Sequence, residues 1–404
     1  SLLATTTGTR FTTGSILFDN AILCKSNTTL SQTTPTKILD HATTYTLPGS
    51  AFWSPDSKFI AITHFTSKNL QIYKFNPPNS VSQVGSVVTT GGGTQNAQTL
   101  RWSPDGKFIA VGSQGTTGPL QIFSFDGVNT PVQVGSDVST GSNAISLGWS
   151  PDGKFIAVVC YSGNILQVFK FDGTGTPTQV GSNKATGTSP TFVIWSSDGK
   201  YIAAVSYTGN ILQIFSFDGA STPVQVGSNK TTGSNPASVQ WSPDGRFIMV
   251  GYASGASAAI QAYRFDASNT PMSIGSGASP AGDFHHWSPD GRFVCTTNNA
   301  SNVLRIFRFN GTSTPTLIGS SVNTGSGPGQ PSWSPNGQYI SLGTYSSHTL
   351  QIFKINYYAT NLEASDTQGR STSIVFGDSA KGIDYDADVT VLPGAQVNVN
   401  GKVL

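Results

Sequence analysis

A ten-residue string, Trp149-Ser150-Pro151-Asp152-Gly153-Lys154-Phe155-Ile156-Ala157-Val158, recurs through most of the chain and limits what it can fold into. Copies begin at Trp53, Trp102, Trp149, Trp195, Trp241, Trp287 and Trp333, spaced by 49, 47, 46, 46, 46 and 46 residues, and they use all seven tryptophans. A unit this short cannot bury its own apolar face, whereas stacked copies can, so the period belongs to a repeat architecture.

Within one copy the local chemistry alternates strand and turn. Residues 237–241 read as a strand and Ser242-Pro243-Asp244-Gly245 as a tight turn, with Pro presetting its first corner, Asp bonding nearby backbone and Gly taking the positive-φ position. Residues 246–250 make the second strand. A Gly/Ser/Asn-rich loop leads to a third, exemplified by Leu212-Gln213-Ile214-Phe215-Ser216-Phe217, and a Thr-Pro pair opens a fourth, as in Thr222-Pro223-Val224-Gln225-Val226-Gly227-Ser228. Four strands per repeat make a propeller blade, and no stretch carries a capped helical period. The fold class is therefore all-β, a seven-bladed β-propeller.

The ring must also close. Thr-Pro pairs follow repeats two to six at Thr130, Thr176, Thr222, Thr270 and Thr314, and a degraded strand from Ser80 to Gly85 follows the first. The seventh repeat runs into Tyr357-Tyr358-Ala359 without one, while Thr34-Pro35-Thr36-Lys37-Ile38-Leu39-Asp40 stands upstream of the first tryptophan. This N-terminal strand is expected to complete the last blade and remove an exposed edge. Three regions follow: a β-rich N-terminal flank over 1–33, the propeller over 34–356, and an acidic β-rich C-terminal flank over 357–404 with six acids against three bases.

The tryptophan string resembles the WD40-like propeller repeats of bacterial periplasmic and surface proteins. Leu-Gln-Ile-Phe-Ser-Phe-Asp-Gly is similar to strands of lactonase-like and surface-layer seven-bladed propellers. The Gly-His and Trp-Asp dipeptides of eukaryotic WD40 blades and the sialidase Asp box are not matched. The flanks, at Thr9 to Ile16 and Ile374 to Ala380, resemble pieces of bacterial surface β-solenoid repeats. Such propellers host hydrolases, lectins, scaffolds and surface proteins alike, so the resemblance implies architecture and leaves the activity open.

Composition narrows the partners. Only 10% of residues are charged and the net charge is +2, too weak a basic field to expect nucleic acid. Cys24, Cys160 and Cys295 are odd in number and scattered, fitting small buried residues rather than disulfides or a zinc site. No run of 18 apolar residues exists. With no initiator Met, the chain reads as exported, processed, and extracellular or on the cell surface.

Convergent chemistry is sparse. The positions before the tryptophans, Phe52, Arg101, Gly148, Ile194, Gln240, His286 and Ser332, share no chemical type. Asp283, His285 and His286 form a local anomaly, but adjacent strand residues face opposite ways, so the two imidazoles are not expected to share a ligand. The turn aspartates, such as Asp105, Asp152, Asp244 and Asp290, read as turn chemistry. Asp384, Asp386 and Asp388 start like a calcium loop but lack its Gly and distal Glu. Sequons stand at Asn27, Asn229, Asn299 and Asn310. No catalytic, cofactor-binding or metal residue is assigned, and no cofactor is expected. Aromatics near the end of the second strand, Phe65, Tyr161, Tyr207, Tyr252 and Tyr345, recur, and the four tyrosines make a candidate ligand rim able to stack on sugar faces.

The leading reading is a non-enzymatic extracellular or surface structural and interaction protein. It self-assembles as a homo-oligomer or polymer, building a filament or array through its terminal β segments. The alternative is an adhesin or lectin-like propeller binding carbohydrate or a cell surface through the tyrosine rim. A lactonase-like or metal-dependent hydrolase is the third.

Overall fold

Seven four-stranded antiparallel sheets follow one another along the chain. The computed structural model describes residues 34–43, 48–91, 96–253, 259–267, 269–280 and 282–355, together with the backbone of several flanking strands. Among the described residues there is no α-helix, and none long and apolar enough to cross a membrane. Blade three is typical: Ala144–Trp149, Phe155–Cys160, Ile165–Lys170 and Thr178–Ala185 pair in that order. The inner three strands are buried and the outermost is largely exposed.

Blade seven closes the ring across the chain ends. Ser332–Trp333, Tyr339–Thr344 and Thr349–Lys354 are joined by Thr36–Ala42, which runs antiparallel to Thr349–Lys354 with Thr36 opposite Lys354 and Ala42 opposite Thr349. The expected exchange of an N-terminal outer strand is thus how the propeller shuts.

The repeated string has a distinct job at each position. Ser150 Oγ–H donates to Asp152 Oδ1 at 2.5 Å, Phe155 N–H donates to Ser150 Oγ at 2.9 Å, and Asp152 Oδ1 accepts from Lys154 N–H at 3.1 Å. Gly153 turns the corner at φ +71°. Desolvation acts to raise the Asp152 pKa, yet the bonds from Ser150 and Lys154 hold it below the ordinary value. These carboxyls belong to their turns and form no ring in the channel.

The tryptophan joins blades. Trp149 Nε1–H donates to the Arg101 carbonyl of the preceding blade at 3.1 Å, and Trp195 repeats the bond to Gly148 at 3.0 Å. Its ring packs edge-on against Phe171 at 5.8 Å, which meets Phe108 of the preceding blade at 5.0 Å. Such an aromatic trio fills six of the seven blade interfaces among the described residues, each ring pair worth about 0.5–1.5 kcal/mol beyond its burial. Between blades six and seven Ile355 stands in for the phenylalanine, packed with Phe293 and Trp333.

The Thr-Pro pair is a second inter-blade device. Ser182 N–H, in the outer strand of blade three, donates to Thr222 Oγ1 of blade four at 2.7 Å, just after Gly181 at φ +65°. A Cβ on Gly181 would collide with the Thr222 backbone nitrogen. The clasp recurs at Thr130, Thr176, Thr270 and Thr314, and Thr34 receives the same bond from Ser320 N–H at 3.0 Å. The closing strand is therefore held to blade six as well as to blade seven.

In the flanks, Ile16–Asp19 pairs with both Thr372–Ile374 and Gln396–Val399. Tyr357–Asp366 pairs with Ile22–Cys24, with Leu30–Gln32 and, in parallel, with Asp386–Thr390. The two ends thus share sheets within one chain. Residues 1–15, Asn27, Asp384 and the side chains of Cys24, Asp386 and Asp388 lie outside the described residues, so the readings made on them gain no structural account.

Candidate functional site: a cup at the channel mouth

The first residue after each second strand falls twelve positions beyond that blade's tryptophan: Phe65, Gln114, Tyr161, Tyr207, Ala253, Asn299 and Tyr345. Backbone bonds to the loop entering the inner strand fix this circle in place. Tyr161 N–H donates to the Asn143 carbonyl at 3.1 Å, Tyr207 to Ser189 at 2.8 Å, Ala253 to Asn235 at 2.9 Å and Tyr345 to Gly327 at 2.7 Å. Six of the seven positions line one cavity of about 420 Å³, on the face opposite the Ser-Pro-Asp-Gly turns. Residues three and four positions before the tryptophans complete it, including Gln98, Thr99, Thr191, Phe192, Asp283 and Gln330. All seven blades contribute.

Three of the four rim tyrosines meet here. Tyr161 is 38% exposed, and Tyr207 and Tyr345 are half-buried. Desolvation raises the Tyr345 phenol above its ordinary pKa, so all its hydrogen-bonding near neutral pH is that of a neutral hydroxyl.

Tyr252 does not stand on the rim. It is the last residue of Phe247–Tyr252, eleven positions after its tryptophan, and that one-residue offset turns its side chain to the other face of the strand. Its ring is buried between blades four and five, with its hydroxyl 2.8 Å from that of Tyr263. Burial and the neighbouring phenol both raise its pKa. Ala253 holds the rim position instead.

Below the cup, Arg101 reaches across the channel. Its guanidinium carbon sits 3.8 Å from the Phe52 ring centroid in blade one and 5.5 Å from that of Phe192 in blade four. Nη1–H donates to the Leu100 carbonyl at 2.8 Å and Nη2–H to Gln330 Oε1 of blade seven at 3.1 Å. Desolvation lowers its pKa to about 9, leaving it charged at neutral pH. The bond to Gln330 fixes that amide's orientation, with its Nε2 buried and unpartnered among the described residues.

The blade-six anomaly separates as alternation requires. His285 turns to blade five, its Nδ1 2.8 Å from Ser238 Oγ and its Nε2 3.1 Å from the Met249 carbonyl. His286 faces the other way, its Nδ1 3.0 Å from the Trp287 carbonyl and 3.4 Å from Trp333 N of blade seven. Burial lowers the first to about 3 and the second to about 4, the second also pushed down by the Arg101 charge, so both rings are neutral at pH 7. Asp283, in contrast, lines the cup. It is 8% exposed, Oδ2 accepts from Asn299 N–H at 3.0 Å, and Oδ1 has no partner among the described residues. Burial raises its pKa, against the Asn299 bond.

No group of three or more potential metal ligands gathers among the described residues. A wider hollow of about 980 Å³ between blades one and two, on the turn face, is bordered by Asp56, Asp105 and Asp126. Each of those carboxyls is already satisfied within its own turn, by Ser54, Ser103 and Asn129 respectively.

Inspection of the positions one and two before each tryptophan missed the cup, which takes the positions three and four before. The signal was available: counting twelve residues forward from each tryptophan would have found the rim and excluded Tyr252.

Comparison with known proteins agrees with this architecture. The TolB β-propeller domain (PD40) matches residues 112–373, well over half of the chain. The chain belongs to that family. The eukaryotic translation initiation factor eIF2A family also matches, over residues 46–176. No curated protein matches. Among solved structures, the protein is similar to a putative 6-phosphogluconolactonase from Bacteroides uniformis, at 19% identity over 81% of this chain and 99% of that one, with a TM-score of 0.61. It is similar also to a functionally unknown protein from Desulfotomaculum acetoxidans, at 18% identity over 75% and 90% with a TM-score of 0.57. The β-propeller domain of Cps50 (Swd1) from Myceliophteria thermophila matches at 11% identity over 78% and 100%, with a TM-score of 0.61. At these identities the likeness is one of fold.

Proposed function

We propose that this TolB-family propeller is a non-enzymatic binding module, working outside the cell or at its surface, and that the channel-mouth cup holds a carbohydrate. The observation that carries the reading is the convergence of Tyr161, Tyr207 and Tyr345, from blades three, four and seven, on a cavity otherwise lined mostly by amides and hydroxyls. Aromatic faces cover the apolar faces of a sugar ring, while amide and hydroxyl groups exchange bonds with its hydroxyls. A volume of about 420 Å³ lies at the small end of the ~300–1,000 Å³ typical of ligand pockets and suits one or two sugar units.

Binding rather than turnover is favoured by the lining. Among the described residues that line the cup, Asp283 is the one carboxyl, and neither a second acid nor a histidine joins it. The site also faces away from the chain ends. Thr36 and Lys354 are paired at the turn face, so both flanks leave the ring opposite the cup. A module anchored through its flanks would present the cup outward.

The test is a glycan array with the whole chain, followed by titration calorimetry. Saccharide binding that is abolished in the double variant Tyr161→Ala plus Tyr207→Ala, with unfolding midpoint unchanged, is the expected result. An array without signal, or binding indifferent to the double variant, would refute the reading.

A second reading is self-assembly through the terminal segments, favoured by flank strands that pair across the chain ends and could exchange between copies. Size measurement at high concentration should then give a polymer that removal of 357–404 abolishes while the propeller stays folded. A compact monomer throughout would dispose of it.

A further inference from the structure

The cup's electrical character is set by one residue. Among the described residues that line it, Asp283 is the only carboxyl and no Lys, Arg or His joins it; the rest are amides, hydroxyls, phenols and apolar groups. Asp283 is 8% exposed, its carboxylate receives one backbone bond from Asn299, and Oδ1 has no partner among the described residues. No Lys, Arg or His side chain lies within ion-pairing distance of it among the described residues. An ionised carboxylate removed from water is costly unless something positive or strongly hydrogen-bonding meets it.

The nearby cation does not do so. Arg101 is committed to the Phe52 face, the Leu100 carbonyl and Gln330 Oε1, and it is not among the described residues that line the cup. What the cup presents is therefore a lone carboxyl within a rim of electron-rich tyrosine faces. Both features attract a cation, the first by direct pairing and the second through the ring quadrupole.

We infer that the ligand carries a protonated amine, placed against Asp283, and that the class recognised is an amino sugar or an aminated polysaccharide with free amino groups. The inference rests on the carbohydrate reading of the cup and adds the group that selects among sugars. The saccharide ring lies against Tyr161, Tyr207 or Tyr345, and its ammonium pairs with the Asp283 carboxylate from the cup side. N-acetylation removes the charge and adds bulk at that point, so it should abolish the preference. An anionic sugar is disfavoured by the same carboxylate.

The experiment titrates the intact chain and Asp283→Asn at pH 7 with glucosamine, glucose, N-acetylglucosamine, glucuronic acid and ethanolamine. The wild-type protein should bind glucosamine about tenfold or more tightly than glucose, the order expected of a single desolvated charge pair. Asp283→Asn should abolish the preference, so that glucosamine and glucose bind that variant equally. The discrimination between glucosamine and N-acetylglucosamine needs no variant, so poor folding of Asp283→Asn would not shield the inference. Equal affinity for glucosamine and glucose overturns it and leaves the carbohydrate reading standing. Tighter binding of glucuronic acid overturns it as well and transfers the selecting role to Arg101. Ethanolamine binding as tightly as glucosamine supports the ammonium subsite and refutes the carbohydrate reading. Failure of all five probes overturns both.

Discussion

Acid should loosen the interface between blades five and six before it affects the turn carboxylates of Asp56, Asp152 and Asp244. His285 is fully buried between them, neutral, and bonded to Ser238 and the Met249 carbonyl. Desolvation lowers its pKa from 6.5 to about 3. A group whose folded pKa is depressed contributes stability that is present above its unfolded pKa and lost as pH falls towards the folded value. The window is therefore pH 6.5 down to about 3. At pH 5 the unfolded imidazole is almost wholly protonated and the folded one is not, which costs the native state about 2 kcal/mol relative to pH 7. His286, lowered to about 4, acts in the same direction. The turn carboxyls of Asp56, Asp152 and Asp244 are held below the ordinary carboxylate value by their turn hydrogen bonds, so they keep their charge between pH 7 and pH 5. Urea unfolding followed by tryptophan fluorescence at pH 7 and pH 5, in matched ionic strength, measures the effect. His285→Gln will be less stable at both pH values, but its loss between them should be smaller than that of the wild type by about 2 kcal/mol. Equal losses in the two proteins would show that His285 is either charged in the fold or not buried, and would refute the argument.

Other consequences follow from the joints of the ring. Gly181→Ala forces a Cβ against Thr222 at positive φ, and should lower stability by more than about 2 kcal/mol in the same urea assay. Thr222→Ala removes only the acceptor for Ser182 N–H and should cost about 1 kcal/mol. Deleting 34–43 strips blade seven of its outer strand and blade six of its clasp, so calorimetry should show the single ring transition broadened and moved well down in temperature. Cys160 and Cys295 are buried with their thiol pKa values raised by desolvation, and should react with a thiol reagent only on unfolding.

The legibility of the chain divides along these lines. The blade count, the strand order and the closing strand could be read directly from spacing, because each depends on residues close in sequence or on one missing copy of a repeated signature. The turn role of the aspartates was equally plain, since Ser150, Asp152 and Gly153 satisfy each other within a few residues. The Thr-Pro pair was recognised as a signature before its purpose was apparent. Only the packed ring brings Thr222 Oγ1 to Ser182, forty residues away.

The sequence by itself determined a seven-bladed ring: a period of about 46 residues, a tight turn, a tryptophan and a Thr-Pro pair specify each blade through contacts that repeat. The tertiary structure alone decided where binding can occur. The cup takes one to three residues from each of seven blades spaced a full repeat apart, so its composition is visible only after closure. Strand alternation then separates Tyr161 from Tyr252, and His285 from His286, by a single residue of register. Burial does the rest, leaving Asp283 as a carboxyl with no partner for Oδ1 among the described residues, a state no local pattern encodes because it depends on which distant side chains fail to meet it.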